Sequence, residues 1–235
     1  MIVAAAQFAP IPGAITRNVE TMATLIRSAG ARVVVFPELA VPGYVPDQIR
    51  AEPNLWLAQE DPRLDPVRAA CRAAGAAAVV NAAVVTGRGR PAITSLVIGP
   101  AGELLARYDK RHLYSPEDEV FAAGDRDGRF ELDGIWFALA TCYDNRFPEI
   151  AERAKADGCQ AYLASSVLDV DNDSFERVYP VRARENGLYV VLANVTGSNQ
   201  VGECRGGSGG WGPDGERIAD AGTQHTGYAL VQIPS

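Results

Sequence analysis

The chain has 235 residues, 47% hydrophobic and 22% charged, the composition of a soluble folded protein able to bury a substantial core, which excludes disorder and collagen. Its 22 Lys and Arg against 29 Asp and Glu give a formal net charge of −7. The basic residues are scattered, so no nucleic-acid or anionic-membrane surface is expected, because such surfaces need clustered cations. Residues 2 to 8 (IVAAAQF) predict a buried strand. Val19, Met22, Ala23 and Ile26 then recur at helical spacing until Gly30, which suits a helix end. Arg32 to Phe36 is the next strand, so the chain opens as β-α-β. The following PELAVPGYVP is rich in Pro and Gly and conformationally fixed. A helix from about 64 to 74 leads to strands at roughly 76–85, 92–98 and 103–108.

Beyond a polar loop from 110 to 128, Ile135 to Thr141 reads as a strand running straight into Cys142. A helix from about Phe147 to Ala156, a strand Gln160 to Ala164, a helical stretch ending at Gly187, a strand Leu188 to Ala193 and strands near 217–220 and 226–233 follow. The Gly-rich run 206–212 reads as a tight loop. Helices alternate with strands and no linker interrupts them, so residues 1–235 are expected to form one α/β domain. The tripeptide Phe-Pro-Glu occurs at 36–38 and 147–149; coincidence is the default reading.

Four cysteines (71, 142, 159 and 204) and two histidines (112 and 225) are the scarcest chemical groups. No CxxC pair exists and no histidine lies at finger spacing, so no metal or cofactor site is expected. No apolar run reaches membrane-spanning length. The opening MIVAAAQF lacks a basic stretch and a cleavage site, so reduced thiols and a cytoplasmic location are expected. Cys142 stands where α/β enzymes place nucleophiles, in a tight turn at the carboxyl end of a strand. Cys71 and Cys159 read as small buried hydrophobes.

A thiol nucleophile needs a base. Either histidine could serve, His112 in KRHLY or His225 in TQHTG, and a carboxylate is the alternative. At ordinary pKa values of about 8.5 for a thiol and about 4.3 for glutamate, transfer to a carboxylate is uphill by roughly 6 kcal/mol. Such a site therefore wants a buried glutamate together with a cation. Glu38, between Pro37 and the apolar LAVPGY, and Lys110, at the end of ELLARYDK with Glu117 and Glu119 close by, offer that combination.

The blocks FPELAVPGY around Glu38, YDKRHLYSPEDEVFAAGD around Lys110 and TCYDNRFPE around Cys142 together resemble the nitrilase superfamily of carbon-nitrogen hydrolases. RARENGLYVVLAN (182–194) and GGSGGWGPDGE (206–216) extend the likeness over essentially the whole chain. Spacings of 72 residues from Glu38 to Lys110 and 32 from Lys110 to Cys142 match compact members. The resemblance implies a four-layer α-β-β-α sandwich in which Cys142 attacks a carbonyl or nitrile carbon to form a thioester. Glu38 would be the general base, and Lys110 with the Tyr143 N–H the oxyanion hole. Glu117 is the choice for a second glutamate, with Glu119 as runner-up.

GYVPDQI and KRHLYSPEDE most resemble small bacterial amidases acting on aliphatic or simple aryl amides. A compact substrate pocket is expected, walled by Tyr44, Tyr143, Asp144 and the segment Ser165, Ser166 and Val167. Tyr143 stands where longer nitrilases carry tryptophan. Hydrolysis of an N-carbamoyl amino acid is an alternative, and the carboxylate of that substrate would want a cation, for which Arg146, Arg177 and Arg182 are candidates. An inactive ligand-binding member and a redox-sensing thiol protein are the alternatives of other classes. Family members usually pair through the helices flanking the nucleophile turn, so at least a homodimer is expected.

Overall fold

The apolar stripe Val19, Met22, Ala23 and Ile26 is the buried face of a helix spanning Ile15–Ser28. In the computed structural model, which describes residues 1–223 and 226–234, the first half runs β1 (Ile2–Gln7), α1 (Ile15–Ser28), β2 (Val33–Val35), α2 (Pro46–Ala51), α3 (Asp65–Ala74), β3 (Ala77–Val84), β4 (Ala92–Ile98), β5 (Leu104–Asp109) and α4 (Glu117–Val120). The second half runs β6 (Gly128–Leu132), β7 (Ile135–Thr141), α5 (Pro148–Ala156), β8 (Ala161–Ser166), α6 (Ser174–Arg177), α7 (Tyr179–Asn186), β9 (Tyr189–Asn194), β10 (Thr196–Asn199), β11 (Gly202–Arg205), β12 (Gly209–Trp211), β13 (Arg217–Asp220) and β14 (Gly227–Gln232). Gly75 and Gly187 end α3 and α7 in the left-handed conformation, which glycine adopts without a Cβ penalty.

Among the described residues two six-stranded sheets form, in the orders β14-β1-β2-β3-β4-β5 and β13-β12-β9-β8-β7-β6. Val3, Val33, Val35, Val79 and Val97 of the first pack between the sheets against Phe137, Leu139, Leu163 and Val191 of the second. Helices α1 and α3 bury Met22, Ile26, Val67 and Ala70 on the outer face of the first sheet. Helices α5 and α7 bury Ile150, Ala151, Tyr179 and Ala183 on the outer face of the second. The architecture is therefore the four-layer α-β-β-α sandwich, each layer hiding one apolar face.

Three stretches differ from the sequence reading. The polar run 110–128 contains α4 and leads directly into β6, an edge strand whose short sequence GRFEL gives little periodicity. The tight loop at 206–212 contains β12, which pairs with both β9 and β13. Its glycines lie against Ala219 and Val231, where side chains would collide, so this strand lacks the residues that normally announce one. Residues 196–205 form the small β10-β11 hairpin.

Both sheets repeat one pattern. An antiparallel strand (β14 or β6) borders three parallel strands (β1-β2-β3 or β7-β8-β9), and two further antiparallel strands follow. The two Phe-Pro-Glu tripeptides are out of register with this repeat. One follows β2, the second of its parallel trio, and the other lies beyond β7, the first of its trio, so coincidence stands.

Candidate active site

Glu38, Lys110 and Cys142 all leave strands at carboxyl ends. Strand β2 stops at Val35, yet the Phe36 N–H still donates to Val79 O at 3.0 Å. Pro37, with no N–H, breaks the ladder. Leu39 then takes a left-handed backbone (φ 48°), and its carbonyl accepts from the Gly43 N–H at 2.8 Å. The reversal turns Glu38 inward, where it is fully buried. Lys110 continues β5, its N–H donating to Ile93 O at 2.8 Å, and its side chain is also fully buried.

Cys142 opens the short 3-10 turn Cys142–Arg146 immediately after β7, again with a left-handed backbone (φ 46°). Such strain in a non-glycine residue persists only where its surroundings enforce it. Here Thr141 and Asp144 form a reciprocal capping box. The Asn145 amide donates to the Cys142 carbonyl at 2.7 Å, and the Arg182 guanidinium donates to the carbonyls of Asn145 and Arg146 at 3.0 and 3.1 Å.

Lys110 Nζ donates to Glu38 Oε1 at 2.7 Å and to Glu117 Oε2 and Oε1 at 2.7 and 3.0 Å. Glu117 also accepts from the Tyr44 hydroxyl at 2.8 Å and the Tyr114 N–H at 2.9 Å. Glu119 lies instead on the surface, 3.5 Å from Arg50. Of the two candidates for a second glutamate, Glu117 contacts Lys110 and Glu119 contacts Arg50.

Two buried carboxylates share one ammonium, and that imbalance sets the electrostatics. Burial, reinforced by the Glu117 charge and only partly opposed by Lys110, pushes the Glu38 carboxyl up to about 7. Burial lowers the Lys110 pKa, but Glu38, Cys142 and Glu117 more than offset this, so the ammonium stays protonated well past its ordinary range. The Cys142 thiol is pushed up by burial and by the Glu38 charge, against the pull of Lys110. The resting pair is therefore a neutral thiol beside a carboxyl poised near neutrality. The redox-sensor alternative required the opposite, a thiol of low pKa.

Cys142 is half-buried at the floor of a cavity of about 690 Å³, where Tyr44, Tyr114, Glu117, Val120, Tyr143 and Val167 are among the lining residues. That is within the range of small-molecule sites but roomier than the compact pocket expected. Of the predicted wall residues, Tyr44, Tyr143 and Val167 line it, whereas Asp144, Ser165 and Ser166 do not. Asp144 is fully buried beneath the nucleophile turn, where its carboxylate accepts from Tyr108 Oη at 2.6 Å, His112 N at 2.8 Å and Thr141 N at 3.1 Å. Ser165 and Ser166 are still within β8, buried between layers, and Ser166 Oγ pairs with Tyr179 Oη at 2.8 Å. The chain reaches the cavity one residue later, at Val167.

His112 is no base for Cys142. Its ring is 3.0 Å from Asp144 through Nδ1 and stacks on Phe147 at 3.6 Å. His225 lies outside the described residues. Of the arginines weighed as carboxylate-binding cations, Arg146 lines the cavity, held by Asp173 at 2.6 Å, while Arg177 and Arg182 do not line it. Arg50, which the sequence reading passed over, is a second cationic lining residue. Among the described residues no group of three or more His, Cys, Asp or Glu could hold a metal ion.

A family model described as carbon-nitrogen hydrolase matches residues 2–235. The chain belongs to the carbon-nitrogen hydrolase family. This carbon-nitrogen hydrolase is 32% identical over 227 residues to a hydrolase encoded in the pqqF 5' region of Pseudomonas protegens, covering 94% of the chain and 79% of the relative. It is 31% identical over 202 residues to 2-oxoglutaramate amidase of Bacillus subtilis, covering 84% and 76% of the two chains. The crystal structure of an amidase from Nesterenkonia sp. superimposes with a TM-score of 0.90 at 31% identity, covering 100% of this chain and 90% of that one. One variant of that amidase carries acrylamide added at the active-site cysteine, and another is in complex with butyramide. The family and its amidase relatives make this chain an enzyme acting on non-peptide carbon–nitrogen bonds, an amidase working through a cysteine. Among the described residues no helix is long and apolar enough to cross a membrane.

Proposed function

We propose that the chain hydrolyses a small aliphatic or aryl amide to a carboxylic acid and ammonia, with Cys142 as nucleophile. One observation carries this reading: a fully buried Lys110 ammonium bridging Glu38 and Glu117 at 2.7 Å each, with Glu117 and Cys142 both lining the cavity. Glu38 takes the thiol proton as sulfur bonds to the amide carbon, and the oxyanion is met by Lys110 Nζ and the Tyr143 N–H. Leading N–H groups of a helical turn have no acceptor within the turn, so the Tyr143 N–H is available for this. Protonated Glu38 passes its proton to nitrogen, and ammonia leaves a thioester. Glu38 then takes a proton from water, whose oxygen attacks the thioester carbon, and the thiol leaves with that proton.

Relatives named for 2-oxoglutaramate and for deaminated glutathione support an amide and differ in its acyl part. An ammonia-release screen over amides, nitriles and N-carbamoyl compounds is the test. Amides such as propionamide or benzamide are expected to turn over best; a nitrile or carbamoyl preference, or no turnover across the panel, overturns the reading.

Glu117 is inferred to hold the Lys110 ammonium in place through its bidentate contact. Glu117→Gln is expected to lower kcat by about 100-fold, the scale of losing one well-placed oxyanion donor, and Glu119→Gln by less than about twofold, as for a solvated surface charge. Steady-state kinetics of the two variants decides, and the reverse ranking refutes the assignment.

Residues 1–235 acting as a single catalytic unit, a cytoplasmic location and a homodimer complete the proposal. The dimer would pair the α5 and α7 region of two copies. Light scattering at micromolar concentration should give about twice the 25.0 kDa of one chain; a monomer mass counts against it.

A further inference from the structure

Strand β3 reads AAVVNAAV, apolar except for Asn81, which is fully buried. Asn81 shares the inter-sheet face with Ala77 and Val79, since alternate strand residues face one side. Its Oδ1 accepts from the Leu39 N–H at 2.7 Å, and its Nδ2 donates to Ser95 Oγ at 3.0 Å and to Thr141 Oγ1 at 3.5 Å. The Asn81 carbonyl also accepts from the Val41 N–H at 3.2 Å. Asn81 thus meets the backbone beyond the end of β2 through both its side chain and its carbonyl, and its side chain reaches across the sandwich to the last residue of β7.

The placement of these bonds is specific. Leu39 adjoins Glu38 and Thr141 adjoins Cys142, and Leu39 and Cys142 are two of the three non-glycine residues with positive φ among those described. An apolar residue would fill this position in β3 as well, but it would leave the buried Leu39 N–H without an acceptor. A buried amide is tolerated where every arm is satisfied, and then it fixes one arrangement of the groups it joins. We propose that Asn81 is a positioning residue for the hydrolysis, setting the turn that carries Glu38 against the turn that carries Cys142. The proposal rests on the assignment of Glu38 and Cys142 as base and nucleophile.

The test compares Asn81→Ala with Ser95→Ala, which removes another arm of the same side chain and leaves the Leu39 bond intact. The readouts are kcat and KM on a turned-over amide, and the pH dependence of both hydrolysis and Cys142 alkylation by iodoacetamide, normalised to titrated Cys142. For Asn81→Ala a tenfold or greater fall in kcat is expected with KM within threefold. Its acidic limb should move by half a pH unit or more in both assays, because a loosened turn changes the burial of Glu38. Ser95→Ala should keep the parent limb. A parent-like kcat and limb in Asn81→Ala, or an equal displacement in Ser95→Ala, overturns the proposal. Alkylation needs no amide substrate, so a displaced alkylation limb without amide turnover would refute the amidase assignment while supporting the positioning role. If Asn81→Ala does not fold, Asn81→Ser is read by the same criteria.

Discussion

Cys142→Ala is expected to release no ammonia above background from any amide that the parent hydrolyses, a loss of about ten-thousand-fold or more, as for removal of other covalent nucleophiles. The fold should tolerate the change. Cys142 is half-buried and lines the cavity, and the hydrogen bond from its thiol to the Val167 carbonyl is a long one, 3.8 Å. Alanine keeps the Cβ that the left-handed turn already accommodates, so a melting temperature within a few degrees of the parent is expected, read by circular dichroism beside the ammonia assay. No other cysteine can substitute. Cys71, Cys159 and Cys204 are buried in packing layers and do not line the cavity. Burial pushes their thiols up, to about 12 for Cys71 and about 11 for Cys204. Residual turnover at parent rate would place the nucleophile elsewhere.

Cys142, Glu38 and Lys110 stood out in the sequence because each follows a strand pattern and because the blocks around them resemble those of the carbon-nitrogen hydrolases. The chemistry demanded a carboxylate and a cation once histidine proved scarce. What stayed hidden depends on the third dimension. Asp144 has the composition of a site wall, but the 3-10 turn folds its carboxylate under the nucleophile, where three donors meet it. Glu117 and Glu119 are two residues apart in one acidic run. Only the direction of α4 sends one to Lys110 and the other to Arg50. Strand β12 escaped because its glycines are needed for close sheet packing and carry no strand propensity. Asn81 did leave a mark, an amide amid seven apolar neighbours in its strand. Its meaning required knowing that Leu39 and Thr141 converge on it.

Glu38→Gln is the second large effect, expected to lower kcat/KM by about a hundred- to ten-thousand-fold, the contribution of a positioned general base. Gln can still accept a hydrogen bond from Lys110, so the loss isolates proton transfer. In the parent the active form is the carboxylate, and with the carboxyl pushed up to about 7, kcat/KM should rise through neutral pH and level off above it. Lys110 and the thiol are both displaced upward, so neither adds an alkaline limb close to neutrality. The residual activity of Glu38→Gln should lack the acidic limb; a limb still centred near 7 would assign it to another group. Stability gives an independent check with a definite sign. The unfolded carboxyl ionises near its ordinary value of 4.5 and the folded one at about 7, so between these the folded state binds more protons and this group's contribution to stability falls as pH rises. Gln removes that dependence. The melting temperature of Glu38→Gln relative to the parent should therefore increase from about pH 5 to about pH 8, and a difference that is constant or shrinks over that span contradicts the buried, poised state of Glu38.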